Sequence, residues 1–253
     1  MRLTSIAARA FSIDDLRALS HKRLPRAIFE FYDGGAEQEI TLRDNLEAFK
    51  RMRILPKSLN DVSKVDTSCE LVGGTAAMPL AIAPTGALNF GRHGADIAIA
   101  RAAAELGVPY SLSTSATTTI EDIARAAPGR LWFQAYILSN KEKLAALIAR
   151  AYAADYEGLM ITVDLPVGGK RERDFRNHLQ FPFKYTPRNV MDFATKPFWS
   201  LNMLLKGVPQ MENIKELKRD TGGGQKLSST AGKNYDPAFD WTQLQIMRDK
   251  WSR

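Results

Sequence analysis

The sequence predicts an α/β protein with a parallel sheet covered by helices. Three observations carry that prediction. From residue 79 short apolar runs alternate with helical stretches, the runs are too short to be helices, and each ends in hydrogen-bonding residues. Strands joined by helical crossovers pair in parallel, and helices on both faces of such a sheet leave its strands apolar throughout.

Composition sets the bounds. The 253 residues are 45% hydrophobic and 25% charged, an ordinary balance for a globular protein. The lone Cys69 excludes an intrachain disulfide and points to a reducing, cytoplasmic location. No apolar run reaches the roughly 18 residues of a membrane-spanning helix. A net charge of +7 favours anionic partners. The basic residues are dispersed and form no known nucleic-acid module, so a nucleic-acid partner is not expected.

The chain reads as one domain over 1–253. It has a helical extension (1–78), four strands (79–164), an insertion or loop (165–238) and a closing helix (239–253). "MRLTSIAARAFS" is a short tail before a helix capped by Ser12, with Asp14 and Asp15 in its first turn. "LPRAIFEFYDGG" sets Pro25 at a helix start and Gly34 and Gly35 past its end. "EQEITLRDNLEAFKRM" gives a third helix with Ile40, Leu46 and Phe49 near one face. Strands are expected at "PLAIAP", "PYSLSTS", "LWFQAY" and "GLMITVD", with helices at "ADIAIARAAAELG", "TIEDIARAAPG" and "NKEKLAALIARAYAAD" between them. After Asp164 the rhythm breaks. "TGGGQKLSSTAGKN" reads as linker, and Asp240 as the N-cap of the closing helix.

The strands end in polar residues: Pro84–Thr85–Gly86, Ser113, Gln134 with Tyr136, and Thr162 with Asp164. Ligands bind at that end of parallel sheets. Gly86 lets backbone approach a flat ligand. Ser113, Gln134 and Thr162 offer donors and acceptors for a heteroaromatic ring. Asp164 can orient a catalytic base, and Arg171 can grip a carboxylate. Each residue taken singly has a local explanation, such as a capped strand end or a solvated charge run. Four strands behaving alike favour a shared site. There is no G-x-G-x-x-G after a strand, no P-loop and no Cys/His metal spacing. His21, His93 and His178 lie outside the strands and read as surface residues.

"YDGGAE", "MPLAIAPTG", "YSLSTSA", "LWFQAY", "ITVDLPVGGKRERD" and "FDW" resemble, in order and spacing, the FMN-dependent 2-hydroxy acid dehydrogenase/oxidase family. That family includes glycolate oxidase, L-lactate dehydrogenase and mandelate dehydrogenase. "GGKRERDFRNH" and "KPFWSLNMLLKGVPQMENI" look most like the membrane-associated mandelate dehydrogenase branch. The resemblance implies a TIM (β/α)8 barrel, here its N-terminal helices, roughly the first four βα units and a long insertion. It implies FMN bound along Pro84, Thr85 and Gly86, with Ser113, Gln134 and Thr162 hydrogen-bonding the ring. Tyr136 and Arg171 would face substrate, and Asp164 would pair with the family's catalytic histidine. The reaction implied is flavin-linked oxidation of an L-2-hydroxy acid to a 2-oxo acid, in an enzyme that is often a homo-oligomer.

Two departures stand out. Phe31 occupies the position where the family has a carboxylate-binding tyrosine, with Tyr32 one residue later, so a larger or more apolar acid than lactate is expected. The family also continues into a fifth strand with a flavin lysine, a His-Gly-Gly-Arg-like segment and a phosphate site. None of these is found in the sequence, so these residues alone are expected to be inactive. The competing expectation is a non-catalytic relative that folds only with a partner chain. Between Leu165 and Ile214 eight Lys/Arg stand against four Asp/Glu, interleaved with Phe181, Phe183, Phe193, Phe198 and Trp199. That composition suits an anionic membrane surface at the inner face of the cell membrane, where quinone could take the electrons; an active-site lid is the alternative.

Overall fold

The structure, a computed structural model, describes residues 10–165, 168–179, 185–218 and 235–253. Three helices open the chain: α1 (Ile13–Arg23), α2 (Arg26–Asp33) and α3 (Ile40–Arg51). The Ser12 side chain accepts from the Asp15 backbone N–H at the start of α1. Pro25 caps α2 and Gly34 follows it, as the sequence predicts. The apolar face expected on α3 has no cover among the described residues: Ile40, Leu46 and Phe49 are all exposed.

A two-residue hairpin, β1 (Cys69–Glu70) against β2 (Thr75–Ala76), was not legible in the sequence. Arg130 holds it by donating to the carbonyls of Gly74, Leu71 and Val72 at 2.8, 2.8 and 2.9 Å. Arg130 directly precedes β4 and pairs with Glu157, which precedes β5, so the hairpin closes the N-terminal ends of the sheet.

The sheet follows the predicted alternation: α4 (Ala95–Glu105), β3 (Tyr110–Ser113), α5 (Ile120–Ala126), β4 (Leu131–Tyr136), α6 (Lys141–Ala153) and β5 (Gly158–Thr162). β3, β4 and β5 are parallel, with Ser113 opposite Gln134 and Tyr136 opposite Thr162. The first expected strand, "PLAIAP", contributes only one parallel bridge, Ile82 to Tyr110. Proline has no N–H to donate, so Pro79 and Pro84 limit the ladder from both sides. Leu112, Phe133 and Tyr156 are fully buried between the sheet and Ile120, Ile123, Leu144 and Leu147 of the covering helices.

The stretch after Asp164 is not the loop the broken rhythm predicts. It holds α7 (Glu172–Arg176), α8 (Pro187–Ala194), α9 (Pro197–Lys206) and a 3-10 segment at Glu212–Lys218. Its helix signals are short: Thr186 and Asn189 form a reciprocal capping box, and prolines begin α8 and α9. Trp199 and Met203 of α9 pack with Ile28, Phe90, Leu179 and Met211 in a second core. α10 (Trp241–Lys250) closes the chain with Asp240 accepting from the Gln243 N–H. The 1–9 tail, the "TGGGQKLSSTAGKN" stretch, Phe181 and Phe183 lie outside the described residues.

Candidate active site

The polar strand ends converge. Gln134 is buried at the end of β4 and is linked to both neighbouring strands. Its Oε1 accepts from Ser113 Oγ at 3.1 Å and from the Thr114 N–H at 3.3 Å, and its Nε2 donates to Thr162 Oγ1 at 2.7 Å. A β-carbon built on Gly86 would lie 3.7 Å from Ser113 Oγ, which places the Pro84–Gly86 segment at the end of the same row. Side chains from three paired strands thus line up at the C-terminal ends of the sheet, with the Gly86 backbone beside them. Two hydroxyls and one carboxamide can each donate or accept, the chemistry that the edge of a flat heteroaromatic ring requires.

Gly86 also makes room within the protein itself. The added β-carbon would sit 3.0 Å from Ser115 Cβ, so the missing side chain makes room for the loop after β3. The next residue, Ala87, takes a left-handed conformation (φ 63) that is uncommon outside glycine. It is held there because its N–H donates to Ser115 O at 3.0 Å and its carbonyl accepts from Tyr32 Oη at 2.6 Å. Below this loop Asp96 is fully buried and accepts from Thr117 Oγ1 at 2.6 Å and Thr118 Oγ1 at 3.1 Å. Burial raises the Asp96 carboxyl above the usual range, against the lowering effect of those hydroxyls.

Tyr136 and Asp164 flank the row. Tyr136 stacks on Tyr235 at 4.9 Å, and burial followed by the charge of Asp164 raises its phenol. A small cavity of about 60 Å³ lies beside it, lined by Thr162, Val163, Leu165, Tyr235 and Phe239. Asp164 is exposed in the bend after β5, so it carries none of the desolvation cost that a buried strand end would impose. Tyr235 is an addition that the sequence did not signal; it returns to this place through a bridge to Leu138.

Arg171 and Phe31, 140 positions apart, are in contact. The Arg171 guanidinium donates to the Phe31 carbonyl, lies 5.4 Å from the centre of its ring, and pairs with Asp174 at 2.8 Å. Tyr32 does not supply the hydroxyl that Phe31 lacks. Its Oη is committed to Ala87 O and to the Gly91 N–H, and burial drives its pKa well above the ordinary phenol value.

Among the described residues no group of three His, Cys, Asp or Glu could hold a metal ion. A larger groove of about 400 Å³ lies between α6 and α10, lined by Leu144, Ile148, Tyr152, Phe239, Ile246 and Met247. It is apolar and lies among the covering helices, so the row of strand ends is the better candidate site.

Parallel strands with covering helices and a polar row at the strands' C-terminal ends define part of a TIM-type α/β barrel. The FMN-dependent dehydrogenase family model matches residues 20–253, and the chain belongs to that family. It is 36% identical over 241 residues to (S)-mandelate dehydrogenase of Pseudomonas putida, covering 95% of this chain and 61% of that protein. It is 34% identical to L-lactate dehydrogenase of Pseudomonas paraeruginosa, covering 94% and 62%. The crystal structure of a monotopic membrane protein, (S)-mandelate dehydrogenase, superposes with a TM-score of 0.89 at 35% identity, over 97% of this chain and 65% of that one. The chain therefore spans about three fifths of the length of the curated relatives it matches. Membership makes FMN the cofactor of the family to which these residues belong.

Proposed function

We propose that this chain provides the flavin-facing strands of an enzyme that oxidises an L-2-hydroxy acid to the 2-oxo acid. The observation that carries the reading is the Ser113–Gln134–Thr162 row beside Gly86. Its hydroxyls and carboxamide fit the polar edge of an isoalloxazine ring, and Pro84, Thr85 and Gly86 offer backbone along it. Bound FMN supplies the electron acceptor. Tyr136 and Arg171 orient the substrate's hydroxyl and carboxylate, and Asp164 stands ready to hold a protonated base beside them. The phenyl ring of Phe31 against Arg171 favours an aryl or long alkyl acid over lactate, because it offers contact area in place of a hydroxyl.

Asp164 makes no hydrogen bond or ion pair with His21, His93 or His178 among the described residues, and β5 has β4 as its only described neighbour. The 253 residues by themselves are therefore expected to bind FMN weakly and to turn over mandelate at least about 100-fold below a flavoenzyme's rate, as for loss of a general base. Flavin fluorescence quenching and dye-linked oxidation of (S)-mandelate test both parts. Normal turnover by the isolated chain would refute the division of labour, and FMN binding unchanged by Gln134→Leu would refute the row as the cofactor seat.

A second reading concerns a membrane surface. α9 turns Trp199 and Met203 inward and leaves Phe198, Leu204 and Leu205 at 91%, 81% and 77% exposure, with Met191 of α8 also exposed. Such an apolar face in a basic segment supports peripheral binding to anionic lipid, the position from which an enzyme could reduce quinone. Among the described residues no helix is long and apolar enough to cross a membrane.

A further inference from the structure

Asp174 is a buried carboxylate beside Arg171, and the mechanism does not use it. It lies in the first turn of α7, three residues after Arg171, and its side chain is 2% exposed against 30% for Arg171. Its Oδ2 accepts from Arg171 Nε, while its Oδ1 is buried with no partner. The Arg171 Nη2 donates to the Phe31 carbonyl, and the Phe31 ring lies against the guanidinium. A guanidinium has a side edge, made by Nε and Nη2, and an end edge, made by Nη1 and the second Nη2 hydrogen. Here Nε and Nη2 are both engaged from within the protein, and Nη1 has no hydrogen-bond partner among the described residues, so the end edge is the one left for a ligand.

The surroundings hold this arrangement. α7 has only five residues and could not hold its position alone. It is stitched to the start of the chain by Arg173 pairing with Asp33 and Glu39, and by the Glu37 N–H donating to Lys170 O. A guanidinium fixed on one edge loses little freedom when its other edge grips a carboxylate.

We propose that Asp174 is a positioning residue that locks the side edge of Arg171, so that the end edge is presented to the carboxylate of a 2-hydroxy acid. The proposal rests on the assignment of Arg171 to substrate above, and its test separates the two. The Nε–H signals of arginine in the 15N-labelled 253-residue chain report the lock directly, with Arg171 identified by the signal lost in Arg171→Lys. In the native chain the Arg171 Nε–H is expected to exchange slowly with water, because it is held by Asp174. Exchange should be at least about tenfold faster in Asp174→Ala, with Asp174→Asn intermediate because its carboxamide oxygen still accepts. Asp174→Asn also serves as the near-isosteric variant if the alanine form does not fold.

Titration with (S)-mandelate then reads the end edge. The Arg171 signal should move in the native chain, with its midpoint raised about tenfold in Asp174→Ala and less in Asp174→Asn. A slow Nε–H retained in Asp174→Ala overturns the positioning role, as does an unchanged mandelate midpoint. An Arg171 signal that ignores mandelate in the native chain overturns the substrate assignment instead, and the exchange rates still decide whether Asp174 holds the side chain.

Discussion

Gln134 is the residue on which the candidate site turns. Its carboxamide is buried and makes hydrogen bonds to both neighbouring strands, so replacing it with leucine takes the carboxamide partner from the Ser113 and Thr162 hydroxyls, while the Thr114 N–H keeps the backbone carbonyl of residue 134. Leaving such groups unsatisfied costs about 1–3 kcal/mol. Gln134→Leu should therefore lower the thermal midpoint by several degrees and weaken FMN binding at least about tenfold, read by calorimetry and flavin fluorescence. Tyr32→Phe should act on stability alone, because the Tyr32 hydroxyl serves Ala87 and Gly91 and not the row. The two residues differ in how readable they were. Gln134 ends an apolar run and announces a polar site, whereas Tyr32 and Asp96 are defined by partners far away in the chain. No local pattern encodes a partner 55 residues off, such as Ala87 for Tyr32.

Among the elements, the predicted strands at β3, β4 and β5 and their helices appear where the alternation of apolar runs places them. Long, periodic segments carry their own evidence, because the pattern and the burial arise from the same face. "PLAIAP" has the pattern but lacks the N–H groups, so it pairs at one position only. α8 and α9 have the opposite history. Their interiors mix aromatics with polar residues because α9 packs on one side only, and the caps alone mark their limits. The exposed side of α9 leads to a prediction for the element as a whole. Phe198→Glu with Leu204→Glu should abolish co-sedimentation with anionic liposomes and leave the thermal midpoint within about 2 °C, since neither side chain is buried. Loss of binding together with unfolding would point to a packing role for those residues instead.

At the scale of the molecule, two cores share the work of stability. The sheet core is the denser, and Phe133→Ala at its centre should cost about 3–5 kcal/mol by denaturant unfolding. The second core joins α2 to α9 and to Phe90, Leu179 and Met211, and its rim is ionic. Asp33 is held below the usual carboxylate range chiefly by Arg17 and further by Arg173; Glu39 is lowered first by the Gly35 N–H and then by Arg173. Carboxylates with lowered folded-state values stabilise the protein fully above the ordinary range near pH 4, and that contribution disappears as pH falls through the lowered values. Acid unfolding followed from pH 6 to 2 should show a loss of stability that is smaller in Arg173→Gln, which starts from a less stable protein.

The stitching of Asp33 and Glu39, at the end of α2 and the start of α3, to α7 spans 134 to 140 residues, whereas β3, β4 and β5 are neighbours in the chain. Synthesis proceeds from the N-terminus at about 5–20 residues per second, so α2 emerges roughly 7–28 seconds before the residues that clasp it. During that interval Ala27, Ile28 and Phe29 face water or a chaperone, and the sheet has time to assemble first. The oldest segment of the nascent chain is thus among the last to lock. Until the residues from Lys170 onward are free of the ribosome, the N-terminal helices lack the ion pairs that clasp them and stay loose.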